Sequence, residues 1–278
     1  MSALIAQPML DSPIRWVGGK NKLRAQVIDY LPADAECYGE VFAGAAWVLF
    51  GKVPHPVEVI NDRNSDLVNL YRVMKWRNAE LLEAVHQHLY SREMFYELRN
   101  NKQPIKCELE RATRMYLLIQ MAFGAELENP SFGYRKVKRD LFLPRSLETF
   151  GPAKERLRSV FIENCDFAQL IARYDQPQTV FYCDPPYLGQ RGYSEEFTYK
   201  DHVRLSRSLH RIQGRFLLTI NDCPGTRMLY RDMHFIEATE PRGIAREAEG
   251  RVAAPILFIA NYKFGPIERA YHNPSLFE

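Results

Sequence analysis

The sequence predicts an α/β fold, one open sheet assembled from both ends of the chain with a helical insertion between them. Three observations predict it. The first third alternates strand, helix and strand patterns; strand-like apolar runs return after a polar, helical middle; and the run Thr179-Val180-Phe181-Tyr182-Cys183 delivers Asp184-Pro185-Pro186-Tyr187 at its carboxyl end. Open α/β sheets place their ligands at that end of their strands.

In order along the chain, Cys37 to Phe42 is a strand candidate, Gly44 begins a turn into the apolar segment Ala45 to Phe50, and Val57 to Ile60 is a second strand ending at Asn61-Asp62. Asp62 lies 18 residues after Gly44, close to the offset of about 20 at which an acid reaches a ribose hydroxyl in nucleotide-binding βαβ units. From Trp76 to Arg158 the apolar positions take helical spacing, as in Leu81, Leu82, Val85 and Leu89, then Met115, Leu118, Ile119 and Ala122. Strands return at Ser159 to Ile162, Thr179 to Cys183, Arg215 to Ile220, His234 to Ala238 and Pro255 to Ala260, the last two suited to antiparallel pairing. Residues 1–75 and 159–278 thus form the sheet domain, and 76–158 the insertion.

Composition is that of an enzyme-sized α/β chain: 278 residues, 46% hydrophobic, 26% charged, net charge +3. That charge is too small to mark the whole chain as a polyanion binder, so a nucleic-acid role rests on a local patch. Nothing requires oligomerisation for a core, and a monomer is favoured. The five cysteines are widely spaced without a Cys-x-x-Cys pair, which points to reduced thiols in a cytoplasmic setting and away from a zinc site. No histidine pair has metal-ligand spacing, so no metal is expected, and His202 and His210 read as surface residues of an Arg-rich helix. No apolar run approaches the ~18 residues of a membrane span, and Met1 to Leu10 carries no export signal.

Two prolines in a row fix both φ angles at about −65° and donate no N–H, so Asp184-Pro185-Pro186-Tyr187 is a rigid turn with an acid before it and an aromatic ring after it. Such a turn suits gripping an amino group on a flat ring; the plainer reading is a strand-ending turn with a packed tyrosine. Gly18-Gly19-Lys20 lacks the flanking glycine and Ser or Thr of a phosphate-binding loop, leaving a flexible turn with a solvated lysine as the plain alternative. The turn at Gly44 is not Gly-x-Gly-x-x-Gly, so a cofactor without phosphates fits better than a dinucleotide. Asp166 reads equally well as the N-cap of a helix from Ala168 to Arg173.

Gly18-Gly19-Lys20, Glu40 to Ala46, Asn61-Asp62, Asp166-Phe167 and Asp184-Pro185-Pro186-Tyr187, in that order over about Ile14 to Tyr262, resemble the DNA adenine methyltransferases of the Dam family. The resemblance implies a Rossmann-like sheet of the S-adenosylmethionine-dependent methyltransferases with a helical target-recognition insertion. It implies methyl transfer from S-adenosylmethionine to the 6-amino group of a flipped-out adenine, DNA as partner, and a cytoplasmic setting in a prokaryotic cell or phage-infected host, as in restriction-modification. By it, Asp184, Pro185, Pro186 and Tyr187 are catalytic; Trp16, Gly18, Gly19, Lys20, Phe42, Ala43, Gly44, Asp62, Asp166 and Phe167 hold the cofactor; Lys20 also reaches toward the target base. Ala46 departs from a common glycine, Val41 from a common proline, and Asn129 to Tyr134 matches only in part the segment of tetranucleotide-specific members, so no recognition sequence carries over.

The chemistry agrees independently. Adenine's amino nitrogen is a poor nucleophile because its lone pair is delocalised into the ring. The Asp184 carboxylate and Pro185 carbonyl can accept its two hydrogens while Tyr187 stacks on the base. Extruding a base costs a few kcal/mol, and the stretch Tyr134 to Arg158, with an excess of five positive charges, offers compensating phosphate contacts through Arg135, Lys136, Lys138 and Arg139 in particular. Arg242, Arg246 and Arg251 form a second basic loop. Two alternatives stay open: a methyltransferase for another planar amino group, in RNA, cytosine or glutamine, and a nucleic-acid-binding protein that keeps the fold without catalysis.

Overall fold

The structure is a computed structural model that describes residues 9–100, 105, 107–125, 130–133, 144–189, 197–240 and 254–265, with only the backbone for 144–147. Its sheet has seven strands: β1 Cys37–Glu40, β2 Val57–Asn61, β3 Phe161–Glu163, β4 Thr179–Cys183, β5 Arg215–Asn221, β6 His234–Glu240 and β7 Ala254–Ala260. They lie in the order β3-β2-β1-β4-β5-β7-β6. All neighbours are parallel except β7, antiparallel to both β5 and β6, as the sequence suggested for the last pair.

Order runs outward in one direction from β1 to β3 and in the other from β4 to β6, so the chain reverses direction of winding between β1 and β4. A crevice opens there at the carboxyl ends of the strands. Register brings the ends level: Glu40 on β1 lies opposite Ile60 on β2 and Tyr182 on β4. Strand β4 is buried at every position, which is why it reads as an uninterrupted apolar run.

Helices cover both faces of the sheet: α1 Arg24–Tyr30, α2 Trp47–Gly51, α3 Ser65–Trp76, α8 Phe167–Tyr174, α9 Tyr199–Leu209 and α10 Pro224–Leu229. Three start at polar caps visible in the sequence. Asn64 caps α3, Asp166 caps α8 through the Ala168 N–H, and Thr198 with Asp201 makes a reciprocal capping box on α9.

Between α3 and β3 stand α4 Asn78–His86, α5 Arg92–Asn100, α6 Glu108–Met121 and α7 Pro144–Leu157, as the helical spacing predicts. α6 and α7 both pack on α3. Asn69 of α3 donates to the Glu108 carbonyl, and Asn78 donates to the Phe150 carbonyl.

Some expectations are corrected. β1 ends at Glu40 rather than Phe42, because the Ala43 N–H turns to the Asn61 carbonyl. β3 begins at Phe161 rather than Ser159, because the Val160 N–H closes back on the Leu157 carbonyl. His202 is fully buried, since it shares the inner face of α9 with Leu205, Ser206 and Leu209; His210 is exposed as expected. Arg156, counted in the basic stretch, is not a surface charge. It is buried against Glu58 of β2 with both terminal nitrogens on the carboxylate, and Lys52 holds the same group. Arg135, Lys136, Lys138 and Arg139, like Arg242, Arg246 and Arg251, lie outside the described residues.

Candidate active site

The crevice between β1 and β4 is a cleft lined by Trp16, Gly18, Gly19, Lys20, Phe42, Ala43, Gly44, Asp62, Asp166, Phe167, Asp184 and Pro186, twelve of the residues singled out in the sequence, together with Glu40, Asn61, Arg63 and Phe197. Of the Asp184 to Tyr187 turn, Pro185 and Tyr187 are buried behind this lining. Buried His202 supports the wall, packing edge-on against Phe197 at 4.7 Å.

The floor is built by the β1–α2 turn. Gly44 has φ +47°, and a Cβ there would meet Trp16 Cδ1 at 2.9 Å, so both the backbone sign and the indole exclude a side chain. Ala46 also has positive φ, 50°, at the N-cap of α2. Alanine has no cap to offer, and Glu40 takes over: its Oε2 accepts from the Leu49 N–H at 3.0 Å and from the Tyr38 hydroxyl at 2.9 Å. Burial pushes the Glu40 carboxyl up to about 8, against the pull of those two donors.

Several N–H groups around the cleft are bonded within the protein. Gly44 donates to Asp62 Oδ2 at 3.0 Å, Ala43 to the Asn61 carbonyl at 2.8 Å, Ala46 to the Ala43 carbonyl at 2.6 Å, and Gly19 to the Trp16 carbonyl at 3.2 Å. A pyrophosphate needs such donors unoccupied. Four carboxyl groups, Glu40, Asp62, Asp166 and Asp184, line the cleft against Lys20 and Arg63. These carboxyl groups are acceptors that could take hydroxyl hydrogens, Asp62 at the end of β2 among them, and Phe42, Phe167 and Phe197, with centroids 5.6 to 5.7 Å apart, form an aromatic wall that could receive a flat ring. Asp166 is both the N-cap of α8 and a cleft residue. Its Oδ1 also takes Arg204 at 2.9 Å, and Arg204 lies 4.9 Å over the Phe167 ring.

At the other end of the cleft Asp184 follows β4. Its Oδ1 accepts from Thr219 Oγ1 at 2.8 Å, and the Tyr182 hydroxyl lies 3.0 Å from the same threonine. Lys20 is not solvated: with 4% of its side chain exposed, its Nζ lies 3.1 Å from Asp184 and 3.2 Å from Glu240. Burial pushes the Asp184 carboxyl above its ordinary value; Lys20 pulls it down and Glu240 pushes it up. Beyond the prolines, Asn221 of β5 clamps Leu188 through its N–H at 2.9 Å and its carbonyl at 3.1 Å, fixing where the turn leaves the sheet.

The sequence reading missed Glu40, Thr219, Asn221 and Glu240 as site residues. Each is polar and stands at or near the carboxyl end of its strand, the same signal that singled out Asp62 and Asp184. Among the described residues no group of three or more His, Cys, Asp or Glu is arranged to hold a metal ion, and no helix is long and apolar enough to cross a membrane. All five cysteines are free thiols.

A mostly parallel sheet with a final antiparallel strand, and a carboxylate-lined cleft at its reversal point, are the architecture of the Rossmann-like methyltransferases. The chain belongs to the D12 class N6 adenine-specific DNA methyltransferases, whose family model matches residues 16–244. It is 27% identical over 271 residues to the type II methyltransferase M1.LlaDCHI of Lactococcus lactis subsp. cremoris, covering 89% of this chain and 94% of that one. It is 29% identical over 244 residues to the DNA N-6-adenine-methyltransferase of Escherichia phage P1, covering 81% of this chain and 31% of that longer protein. The DNA adenine methylase of Salmonella typhi is 29% identical over 185 residues, 63% of this chain and 64% of its own length.

Proposed function

We propose that this adenine-specific DNA methyltransferase takes its methyl group from S-adenosylmethionine and acts on an adenine extruded from DNA, with Asp184 gripping the 6-amino group. The observation that carries this reading is the placement of Asp184: at the reversal point of the sheet, on the rim of a cleft whose floor and walls are Gly44, Asp62, Asp166 and Phe167. When bound, S-adenosylmethionine supplies an activated methyl group on a sulfonium centre. Gly44 and Trp16 shape the floor for its amino-acid end, Asp62 receives the ribose hydroxyls, and Asp166 with Phe167 receives the adenine.

The Asp184 carboxylate accepts one hydrogen of the target amino group and the Pro185 carbonyl the other, which lets nitrogen leave the plane of the ring and present its lone pair. As positive charge develops on that nitrogen, Asp184 faces it and can take its proton, and a carboxyl held above its ordinary value by burial accepts a proton more readily. Tyr187, with its hydroxyl fixed 3.0 Å from Glu240, backs the turn on which the base lies.

In this proposal residues 1–75 and 159–278 make the catalytic domain and 76–158 the target-recognition insertion, with Arg135, Lys136, Lys138 and Arg139 on the DNA backbone. The test is incorporation of labelled methyl from S-adenosylmethionine into DNA, followed by nucleoside analysis. Wild type should yield N6-methyl-2′-deoxyadenosine, and Asp184→Ala should abolish it while cofactor affinity stays within about threefold. Full turnover by Asp184→Ala would remove Asp184 from the reaction, and another methylated nucleoside would replace adenine as substrate.

A further inference from the structure

Glu240 ends β6, three strands away from β4 in the sheet order, yet both its carboxylate oxygens are committed to the site. Oε1 lies 3.2 Å from Lys20 Nζ, and Oε2 accepts from the Tyr187 hydroxyl at 3.0 Å. Lys20 Nζ in turn lies 3.1 Å from Asp184 Oδ1 and 4.8 Å over the Tyr187 ring. One carboxylate therefore fixes a neighbour of Asp184 and the ring of the same turn.

We infer that Glu240 is a positioning residue for methyl transfer, which divides the Lys20 charge between two carboxylates so that Asp184 stays a strong hydrogen-bond acceptor, and which holds the Tyr187 ring in place. The inference rests on the proposed role of Asp184. Its physical basis is the near-equal pair of distances. A buried ammonium matched to Asp184 alone would form a neutral pair and draw the carboxylate's electron density toward itself. With Glu240 sharing it, Lys20 stands against two carboxyl groups, one more than its charge can match, where positive charge builds on the target nitrogen. Lys20, which also donates to the Gly18 carbonyl at 3.0 Å, is then a cation held in place by several partners rather than one that occupies Asp184. The aromatic ring gains as well: a tyrosine whose hydroxyl is anchored loses its freedom to tilt before the base arrives, so less ordering remains at the moment of capture.

A second consequence concerns pH. Among the described residues, the groups facing Asp184 are Lys20 from the segment before α1, Glu240 from β6, Thr219 from β5, Glu40 from β1, and Tyr182 and Cys183 from β4. Glu240 is a negative neighbour and opposes ionisation of Asp184. Removing its charge lets Asp184 ionise at lower pH, so the acidic limb of the turnover profile moves down even as the plateau falls.

The experiment compares Glu240→Gln and Glu240→Asp with wild type, using the full chain, duplex DNA and S-adenosylmethionine. Gln offers one acceptor oxygen in place of two, meets the Tyr187 hydroxyl with a donor where Glu240 presents an acceptor, and lacks the charge. It should lower kcat roughly 10- to 100-fold, the size typical of losing a group that orients a functional ligand, shift the acidic limb to lower pH, and leave S-adenosylmethionine affinity within about twofold. Glu240→Asp keeps the charge and should restore part of kcat with the limb near its wild-type position. A wild-type kcat and limb in Glu240→Gln would overturn the inference, as would a loss of kcat that follows thermal destabilisation with the limb unmoved. Asp184→Ala separates the two levels. Were it active, the grip on the amino group and the role of Glu240 would fall together; were it inactive while Glu240→Gln behaved as wild type, only the role of Glu240 would fall.

Discussion

Exchanging the small residues of the β1–α2 turn tests how the cofactor cleft is held open, because two left-handed residues in one turn predict different outcomes: a clear loss at one and near-neutrality at the other. Gly44→Ala places a methyl group 2.9 Å from Trp16 Cδ1 on a backbone with φ +47°. The left-handed conformation costs a non-glycine residue about 1–2 kcal/mol, and forcing a methyl into packed surroundings about 1–3 kcal/mol. Restricting the unfolded chain returns about 0.4–1 kcal/mol. The net loss is roughly 1–4 kcal/mol, and at about 2–4 °C per kcal/mol for a chain of this size a mid-range value lowers Tm by roughly 5–10 °C. Ala46→Gly releases the same left-handed strain at φ 50° but gives up a methyl that is 1% exposed. Losing the buried methyl costs about 0.8 kcal/mol and the added chain freedom about 0.4–1 kcal/mol, so the sum lies within about 1 kcal/mol of zero. Urea unfolding gives both values and calorimetry with S-adenosylmethionine the functional counterpart, with Gly44→Ala losing at least about tenfold in affinity as the indole is displaced into the cleft. Should Gly44→Ala match wild type in both stability and affinity, neither the sign of φ nor the Trp16 contact governs the cleft, and its floor is not built as described.

Three further outcomes are expected. Asp62→Ala should weaken S-adenosylmethionine by roughly 1–3 kcal/mol in calorimetry through the absence of its charge-assisted hydrogen bonds, and should also lower Tm, because the Gly44 and Asn64 N–H groups lose their acceptor; unchanged affinity would take Asp62 out of the site. Burial holds the His202 imidazole down at about 4, so between pH 6.5 and 4 the unfolded chain binds a proton that the folded one refuses, and stability falls as pH drops through that window by up to ~1.4 kcal/mol per unit. His202→Phe should flatten that part of the profile in denaturant titrations at several pH values, and an unchanged profile would assign the loss to other groups. Arg135→Ala with Lys138→Ala should raise the DNA dissociation constant for all sequences alike and reduce the log-log salt slope by about one unit for each phosphate no longer neutralised; an altered methylated sequence with an unaltered slope would make these residues base readers.

What could be read from the sequence was whatever depends on one strand and its end. β4 was legible because a strand buried on both faces is an apolar run, and Asp184-Pro185-Pro186-Tyr187 marks where it stops. Asn61-Asp62 at the end of β2 and the Asp166 cap of α8 were legible for the same local reason. His202 was legible in principle, since 202, 205, 206 and 209 are the i, i+3, i+4 and i+7 positions of one helix face, but the arginines around it drew the reading toward solvent. Lys20 and Arg156 were not legible, because the environment of a long cation is decided by its partner. Glu58 on β2 takes Arg156 out of the basic stretch, and Asp184 with Glu240 takes Lys20 out of solvent. In each case the partner lies on a strand far along the chain, and only the strand order brings them together. The same reasoning explains why the charge state of the site, unlike its list of residues, had to wait for the fold. With Lys20 solvated, Asp184 would lack its cationic neighbour; with Lys20 buried between it and Glu240, its strength as an acceptor is set by burial first, then by Lys20, and then by a residue at the far edge of the sheet.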